Sequence, residues 1–97
     1  MAYKIVWSGI AIGQLEEISQ HISKDSFAYA AAVVSEIMDS VERLVDFPRL
    51  GRRVPELNKD EFREILVYQW RVIYQIGDNR IDVVDIIHGA QRIRGGN

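Results

Sequence analysis

The 97-residue sequence has no cysteine, no long apolar run and no leader-like N-terminus. Without cysteine, neither a disulfide scaffold nor a zinc site built from thiolates is available. Every apolar run is much shorter than the about 18 residues that suit a membrane-spanning helix. The first residues also lack the basic segment, apolar core and small-residue cleavage site of an export signal. We therefore expect a protein that works in the cytoplasm and does not insert into a membrane.

Hydrophobic residues make up 47% of the sequence, which provides enough apolar side chain to drive folding by burial. A chain of this length forms one hydrophobic core but not a second. No internal repeat or low-complexity segment interrupts the sequence. We expect a single domain over residues 1–97.

The net charge of −2 gives no overall attraction to nucleic acid, but the charges are unevenly distributed. Residues 1–42 contain two lysines and six acidic residues, whereas ten of the twelve basic residues lie from Arg43 onward. Three of these, Arg49, Arg52 and Arg53, fall on a connection that we expect to be exposed. They are compatible with a phosphate-facing patch, although solvated surface is the commoner role of such charges. The charge count does not decide between the two.

The N-terminal half predicts one strand and two helices. Aromatic and aliphatic residues alternate with shorter or polar ones over residues 3–8, which is the period of a strand. Apolar residues then recur every three or four positions over residues 10–23, after a suitable N-cap at Ser8. The helical period resumes after Asp25 and Ser26, which offer a second N-cap. It must stop just before Pro48, because proline lacks the amide donor and clashes with the preceding turn.

The C-terminal half predicts three strands, at residues 62–68, 70–76 and 81–88, after an irregular connection. The tight Gly77-Asp78-Asn79 turn makes the last two strands antiparallel neighbours. The predicted fold is therefore α+β and two-layered, with an N-terminal strand, a helical hairpin and a three-stranded antiparallel meander (β-α-α-β-β-β). We expect the helices on one face of the sheet and a partly covered groove on the other.

Strict alternation along these strands predicts which side chains share a face. It places Arg71 on the face opposite to Trp70 and Tyr74, and we expect the two aromatic residues to be core or covered apolar surface. In the last strand, the residues predicted to share one face are Asp82, Val84, Ile86 and His88.

Five segments, in this order along the chain, carry a resemblance to a known family. They are Tyr-Lys-Ile-Val-Trp-Ser at 3–8, Leu-Glu-Glu-Ile at 15–18, Phe-Pro-Arg-Leu-Gly-Arg with Val-Pro-Glu at 47–56, Tyr-Gln-Trp-Arg-Val-Ile-Tyr at 68–74 and Ile-His-Gly-Ala at 87–90. Together they resemble the RelE/ParE superfamily of toxins over nearly the whole chain. The Val-Pro-Glu and His-Gly-Ala segments look closer to the ParE, or plasmid-stabilisation, branch.

The resemblance implies the toxin of a type II toxin–antitoxin module, which an antitoxin neutralises by wrapping around it. It implies a higher-order toxin–antitoxin complex and neither a cofactor nor a metal. One branch of the superfamily inhibits DNA gyrase, whereas another cleaves mRNA in the ribosomal A site. We expect the antitoxin to cover apolar surface on the helices or the sheet edge by adding a helix or a strand. The sequence assigns no residues to that contact.

For the nuclease branch, the resemblance assigns Arg71 to the phosphate, where its permanent charge and planar fork suit a transition state that gathers negative charge. Arg63 is expected to assist it. His88 is the candidate for proton transfer, because an unperturbed imidazole titrates near pH ~6.5. Gln91, however, stands where that branch tends to place a further basic residue, and no tyrosine follows it.

We therefore interpret the sequence as that of a ParE-like toxin that binds DNA gyrase. Its expected target-binding residues are Arg71, Gln91, Arg92 and Arg94. A ribosome-dependent endoribonuclease that uses Arg71, Arg63 and His88 is the first alternative. A non-toxic binding module with the same fold is the second. The short glycine-ended tail offers little to fix the last arginines in place.

Overall fold

A five-stranded mixed sheet lies at the centre of the protein, whose computed structural model describes residues 2–93. The strands are β1 (Lys4–Trp7), β2 (Arg52–Arg53), β3 (Phe62–Val67), β4 (Trp70–Gly77) and β5 (Arg80–His88). Their order in the sheet is β1-β5-β4-β3-β2, in which β1 runs parallel to β5 and the other neighbours are antiparallel. The predicted α+β class and the meander from β3 to β5 are confirmed. The short strand β2 is an addition, since it forms inside the connection that the sequence predicts to be irregular.

Two helices, α1 (Gly9–Ser23) and α2 (Phe27–Glu42), form the predicted hairpin. A short 3-10 turn, Arg43–Val45, continues α2 toward Pro48. The helical path therefore ends where the proline requires it to end. Within residues 2–93, neither helix is long and apolar enough to cross a membrane.

Both helices begin at a serine that the sequence offers as an N-cap. The hydroxyl of Ser8 accepts a hydrogen bond from the amide of Ala11, and Ser26 caps α2 in the same way. The Ser8 hydroxyl also donates to the carbonyl oxygen of Val84, at 3.0 Å. This contact ties the start of α1 to β5 in the middle of the sheet.

The helices cover one face of the sheet and enclose the main core. On that face Trp70, Val72 and Tyr74 of β4 are all buried, and the prediction that the two aromatic residues belong to the core is confirmed. Apolar packing of this kind supplies most of the stability of amphipathic helices. The buried residues of the main core include Ala11, Ile18, Ala30, Val33, Ile37, Val41, Val83 and Ile86.

The opposite face of the sheet has a second, smaller core, although the chain length predicts only one. Val54, Ile73 and Ile87 are buried there, and Phe62 and Ile93 pack against them. The cover consists of the connection before β3 and the end of the chain rather than a helix. This face is therefore only partly covered, and Leu66 of β3 remains 56% exposed on it.

Strand β5 departs from strict alternation. Its pairing with β4 shifts register between Ile73 and Tyr74, which makes Val84 an extra residue in a β-bulge. Consequently Val83 and Ile86 both belong to the core on the helix side, although they are three residues apart. The single alternation predicted for this strand is wrong, because a bulge moves every following side chain to the other face.

The connection between α2 and β3 is held by Tyr74. Its hydroxyl donates to the carbonyl oxygen of Pro48 (2.7 Å) and accepts from the amide of Gly51 (2.9 Å). Burial of the ring raises the pKa of Tyr74. A Cβ on Gly51 would stand 2.5 Å from the carbonyl oxygen of Glu64, so only glycine fits at this close approach.

Candidate functional site

Arg71 lies on β4, on the sheet face that points away from the helices, and is 5% exposed. Its Nε donates to Oε1 of Glu64 at 2.7 Å. Its two terminal nitrogens form a bidentate pair with Glu56, at 2.8 Å from Nη1 to Oε2 and 2.7 Å from Nη2 to Oε1. A planar guanidinium makes such a fork with a carboxylate, which a lysine cannot.

A second arginine completes the group. Arg52 of β2 donates from Nε to Oε2 of Glu64 at 2.6 Å. The Arg71 cluster, defined as Arg52, Glu56, Glu64 and Arg71, thus contains two positive and two negative charges. The side chains of Glu56, Glu64 and Arg71 are each no more than 7% exposed. Buried charges of this kind are tolerated only when they are paired and hydrogen-bonded.

The contacts within the cluster keep Glu56 and Arg71 ionised. The hydrogen bonds from Arg71 lower the pKa of Glu56 to about 2, against the opposing effect of burial. In return, Glu56 and Glu64 raise the pKa of the Arg71 guanidinium above its ordinary value. Arg71 is therefore permanently charged, but its charge is balanced within the cluster.

The cluster also holds the end of the chain, residues 89–93, which we call the C-terminal segment. Arg71 Nη1 donates to the carbonyl oxygen of Gln91 at 2.9 Å. The amide of Ile93 donates to Oε2 of Glu56 at 3.1 Å. As far as Ile93, the tail that the sequence leaves loose is hydrogen-bonded to buried charges. Arg94, the last of the predicted target-binding residues, lies outside the described residues.

A polar surface pocket of about 210 Å³ opens between the cluster and the C-terminal segment. Arg71 and Glu56 contribute to its lining from inside, whereas Gln91 and Arg92 are exposed. Three of the predicted target-binding residues, Arg71, Gln91 and Arg92, therefore meet at one place. Only the last two offer side chains to a partner at the surface.

Arg63 is not part of this site. It pairs with Tyr74 across β3 and β4, so it points toward the helix side of the sheet, whereas Arg71 points away from it. Its guanidinium donates to the carbonyl oxygen of Gly51 (3.1 Å) and to Asp60 (2.6 Å). Asp60 also accepts from Arg49. The bond from Arg49, followed by that from Arg63, lowers the pKa of Asp60.

His88 lies at the end of β5, opposite Trp70, and therefore also on the helix side. Its Nδ1 accepts from the amide of Ala90 at 3.2 Å. It lines a pocket of about 570 Å³ together with His21 of α1. Among residues 2–93, no three histidine, aspartate or glutamate side chains are grouped so that they could hold a metal ion.

The three residues assigned to catalysis thus occupy three separate places. Arg71 is on one face of the sheet, and Arg63 and His88 are on the other. Arg63 lies opposite Tyr74 and His88 opposite Trp70. Because these partners are four residues apart on β4, Arg63 and His88 are separated by roughly 13 Å in the direction of the strands.

Sequence reasoning missed the two carboxylates that hold Arg71. Glu64 is fully buried on a strand with Phe62 and Leu66 on the same face, and a charged residue inside a strand pattern is a signal that a partner lies on the next strand. Glu56 gave no such signal, since it lies in an irregular connection and meets Arg71 only through the fold.

Solved structures share this architecture. The chromosomal ParDE toxin–antitoxin system from P. aeruginosa gives a TM-score of 0.73 at 17% identity, over 90% of this chain and 96% of that chain. An arginine-to-alanine double mutant of the E. coli toxin RelE in the free state gives 0.67 at 15% identity, over 93% and 86%. The toxin–antitoxin complex RelBE2 from Mycobacterium tuberculosis gives 0.64 at 15% identity, over 91% and 99%. At these identities the likeness establishes the RelE/ParE fold.

The family itself follows from the sequence comparison. Residues 5–93 match the family described as "ParE toxin of type II toxin-antitoxin system, parDE". The chain therefore belongs to the ParE toxin family, within the RelE/ParE superfamily that the sequence segments predict. A comparison with curated proteins finds no match.

Proposed function

We propose that this member of the ParE toxin family blocks DNA gyrase by binding it, with the C-terminal segment as a contact surface. The observation that carries the proposal is the state of Arg71, whose donors are directed to Glu56, Glu64 and the backbone of Gln91. A substrate phosphate would have to displace buried carboxylates to reach this arginine. Glu64 would keep Arg52, but Glu56 would lose its only ion-pair partner in the cluster, and breaking a buried ion pair costs about 3–5 kcal/mol.

The separation of Arg71, Arg63 and His88 supports binding over RNA cleavage. Cleavage by a ribose 2′-hydroxyl needs a base, an acid and positive charge within reach of one phosphate. Here the sheet lies between Arg71 and the other two residues. A binding function requires no such convergence, and it needs only an exposed surface that is held in shape.

We also propose a cognate antitoxin as partner, bound in the cytoplasm within a higher-order complex. The similar P. aeruginosa and M. tuberculosis structures are a toxin–antitoxin system and a toxin–antitoxin complex. The helical hairpin of this chain offers suitable apolar surface, since Phe27 is 83% exposed and Leu15 and Val34 line a shallow groove between the helices. An amphipathic antitoxin helix placed there would bury these side chains.

Expression of the chain in bacterial cells separates this function from its two alternatives. A gyrase-binding toxin stops growth and relaxes plasmid DNA while mRNA stays intact. A ribosome-dependent nuclease stops growth and leaves cuts at A-site codons, and a non-toxic module does neither. Normal growth at a high level of folded protein, or A-site cuts with normal supercoiling, would contradict the proposal.

A further inference from the structure

We infer that Arg71 and Glu56 are positioning residues: they fix the backbone of residues 91–93 so that the Arg92 side chain is presented to the target. The target half of this inference rests on the proposed function. The sequence assigns Arg71 to direct contact with the target. The geometry instead gives that contact to Arg92 and gives Arg71 the task of holding it.

The two contacts to the C-terminal segment enclose Arg92. Arg71 binds the carbonyl oxygen of Gln91 on one side, and Glu56 accepts from the amide of Ile93 on the other. Both contacts are to backbone atoms, so they fix the path of the chain without using the Gln91 or Arg92 side chains. The Ile93 side chain adds a third restraint, because it packs against the smaller apolar core of Val54, Ile73 and Ile87 on this face.

The partners of Arg71 explain why this position requires arginine. Its Nε is used by Glu64, Nη2 contacts both carboxylates, and Nη1 is shared between Glu56 and the Gln91 carbonyl. The fixed fork of donors satisfies two carboxylates and one carbonyl at once. A lysine keeps the positive charge but presents its donors from a single nitrogen on a flexible stem. The substitution Arg71→Lys therefore distinguishes the two roles of this residue: it keeps the positive charge but loses the fork of donors that positions the C-terminal segment.

Ordering a contact residue before binding removes an entropic cost from the binding step. The two contacts fix only the backbone, so they remove the cost of ordering the Arg92 backbone during binding, whereas the Arg92 side chain is immobilised on binding in every variant. Loss of the two contacts should therefore weaken target binding by on the order of tenfold. Arg92 itself is unchanged in such variants.

Amide exchange measured by NMR tests the positioning directly and needs no target. In the wild-type protein we expect the Ile93 amide to be protected. Glu56→Ala, which removes the acceptor of the Ile93 amide, and Arg71→Lys should both lose that protection while the amides of β4 stay protected. The matched control is Asp82→Asn, which removes a partly exposed carboxylate paired with Arg80 on the same sheet. It should leave Ile93 protected.

The same four proteins are then compared as inhibitors of DNA supercoiling by purified gyrase. We expect Glu56→Ala and Arg71→Lys to be on the order of tenfold weaker than the wild type and the control. An Ile93 amide that exchanges equally in all four proteins would overturn the inference, as would full inhibition by Arg71→Lys. If the wild-type protein does not inhibit gyrase, the proposed function fails, and the exchange data alone decide whether the two residues position the segment.

Discussion

The two faces of the sheet are stabilised in different ways. On the helix side, Val72, Val83 and Ile86 pack against α1 and α2 in an apolar core. On the other side, a small apolar core lies beside the Arg71 cluster, in which buried charges join β2, β3, β4, a connection and the end of the chain. The first face needs only residues of suitable size and period. The second needs particular partners at particular positions, and it is the face that carries the candidate site.

The largest expected effect comes from removing the centre of the charged side. Arg71→Ala leaves Glu56 and Glu64 without their shared partner, and one member of a buried ion pair left alone costs about 3–5 kcal/mol. Denaturant unfolding monitored by tryptophan fluorescence measures the loss of unfolding free energy. A loss below about 1 kcal/mol would mean that the carboxylates are readily resolvated and that the cluster does not stabilise this face.

A comparable substitution on the helix side sharpens the contrast. Ile37 of α2 is fully buried in the main core, and Ile37→Ala should lower the unfolding free energy by about 2–5 kcal/mol through lost burial and the cavity left behind. Unlike Arg71→Ala, it should not change the protection of the Ile93 amide relative to β4. Equal loss of that protection in both variants would show that the two faces do not behave as separate units.

A smaller and pH-dependent effect distinguishes the faces without a core substitution. The pKa of Glu56 is lowered to about 2 by Arg71. A carboxyl with a depressed folded-state pKa stabilises the protein above its unfolded-state pKa, about 4.3, and this contribution is lost as the pH falls toward 2. The denaturant concentration at the unfolding midpoint should therefore decrease as the pH is lowered from about 4.3 to about 2. In Glu56→Gln this part of the slope should be absent, and an unchanged slope would rule out Glu56 as its source.

Much of the fold could be predicted because it depends on local pattern. The caps at Ser8 and Ser26, the stop before Pro48 and the meander from β3 to β5 each follow from a few neighbouring residues. The bulge at Val84 could not be predicted, because no glycine or proline marks it and the sequence of the strand continues past it without a visible break in its pattern. One extra residue there changes which side chains share the face of His88.

The candidate site could be predicted only in part. The sequence predicts Arg71, Gln91 and Arg92 as target-binding residues, and the structure brings the three to one pocket. Their roles depend on Glu56, which is 15 residues from Arg71 in sequence and meets it only in the folded chain. The register of β3 against β4 places Arg63 and Arg71 on opposite faces of the sheet. Such roles follow from the pairing register rather than from residue type.

We propose that the protein acts on DNA gyrase by binding it through the C-terminal segment. The most direct test is the concentration of purified protein that half-inhibits supercoiling, measured for the wild type, Arg92→Ala and the control Lys24→Ala. Lys24→Ala removes an exposed positive charge at the end of α1. We predict equal values for the wild type and the control, and a value on the order of tenfold higher for Arg92→Ala. No inhibition by the wild type, or identical inhibition by all three proteins, would contradict the claim.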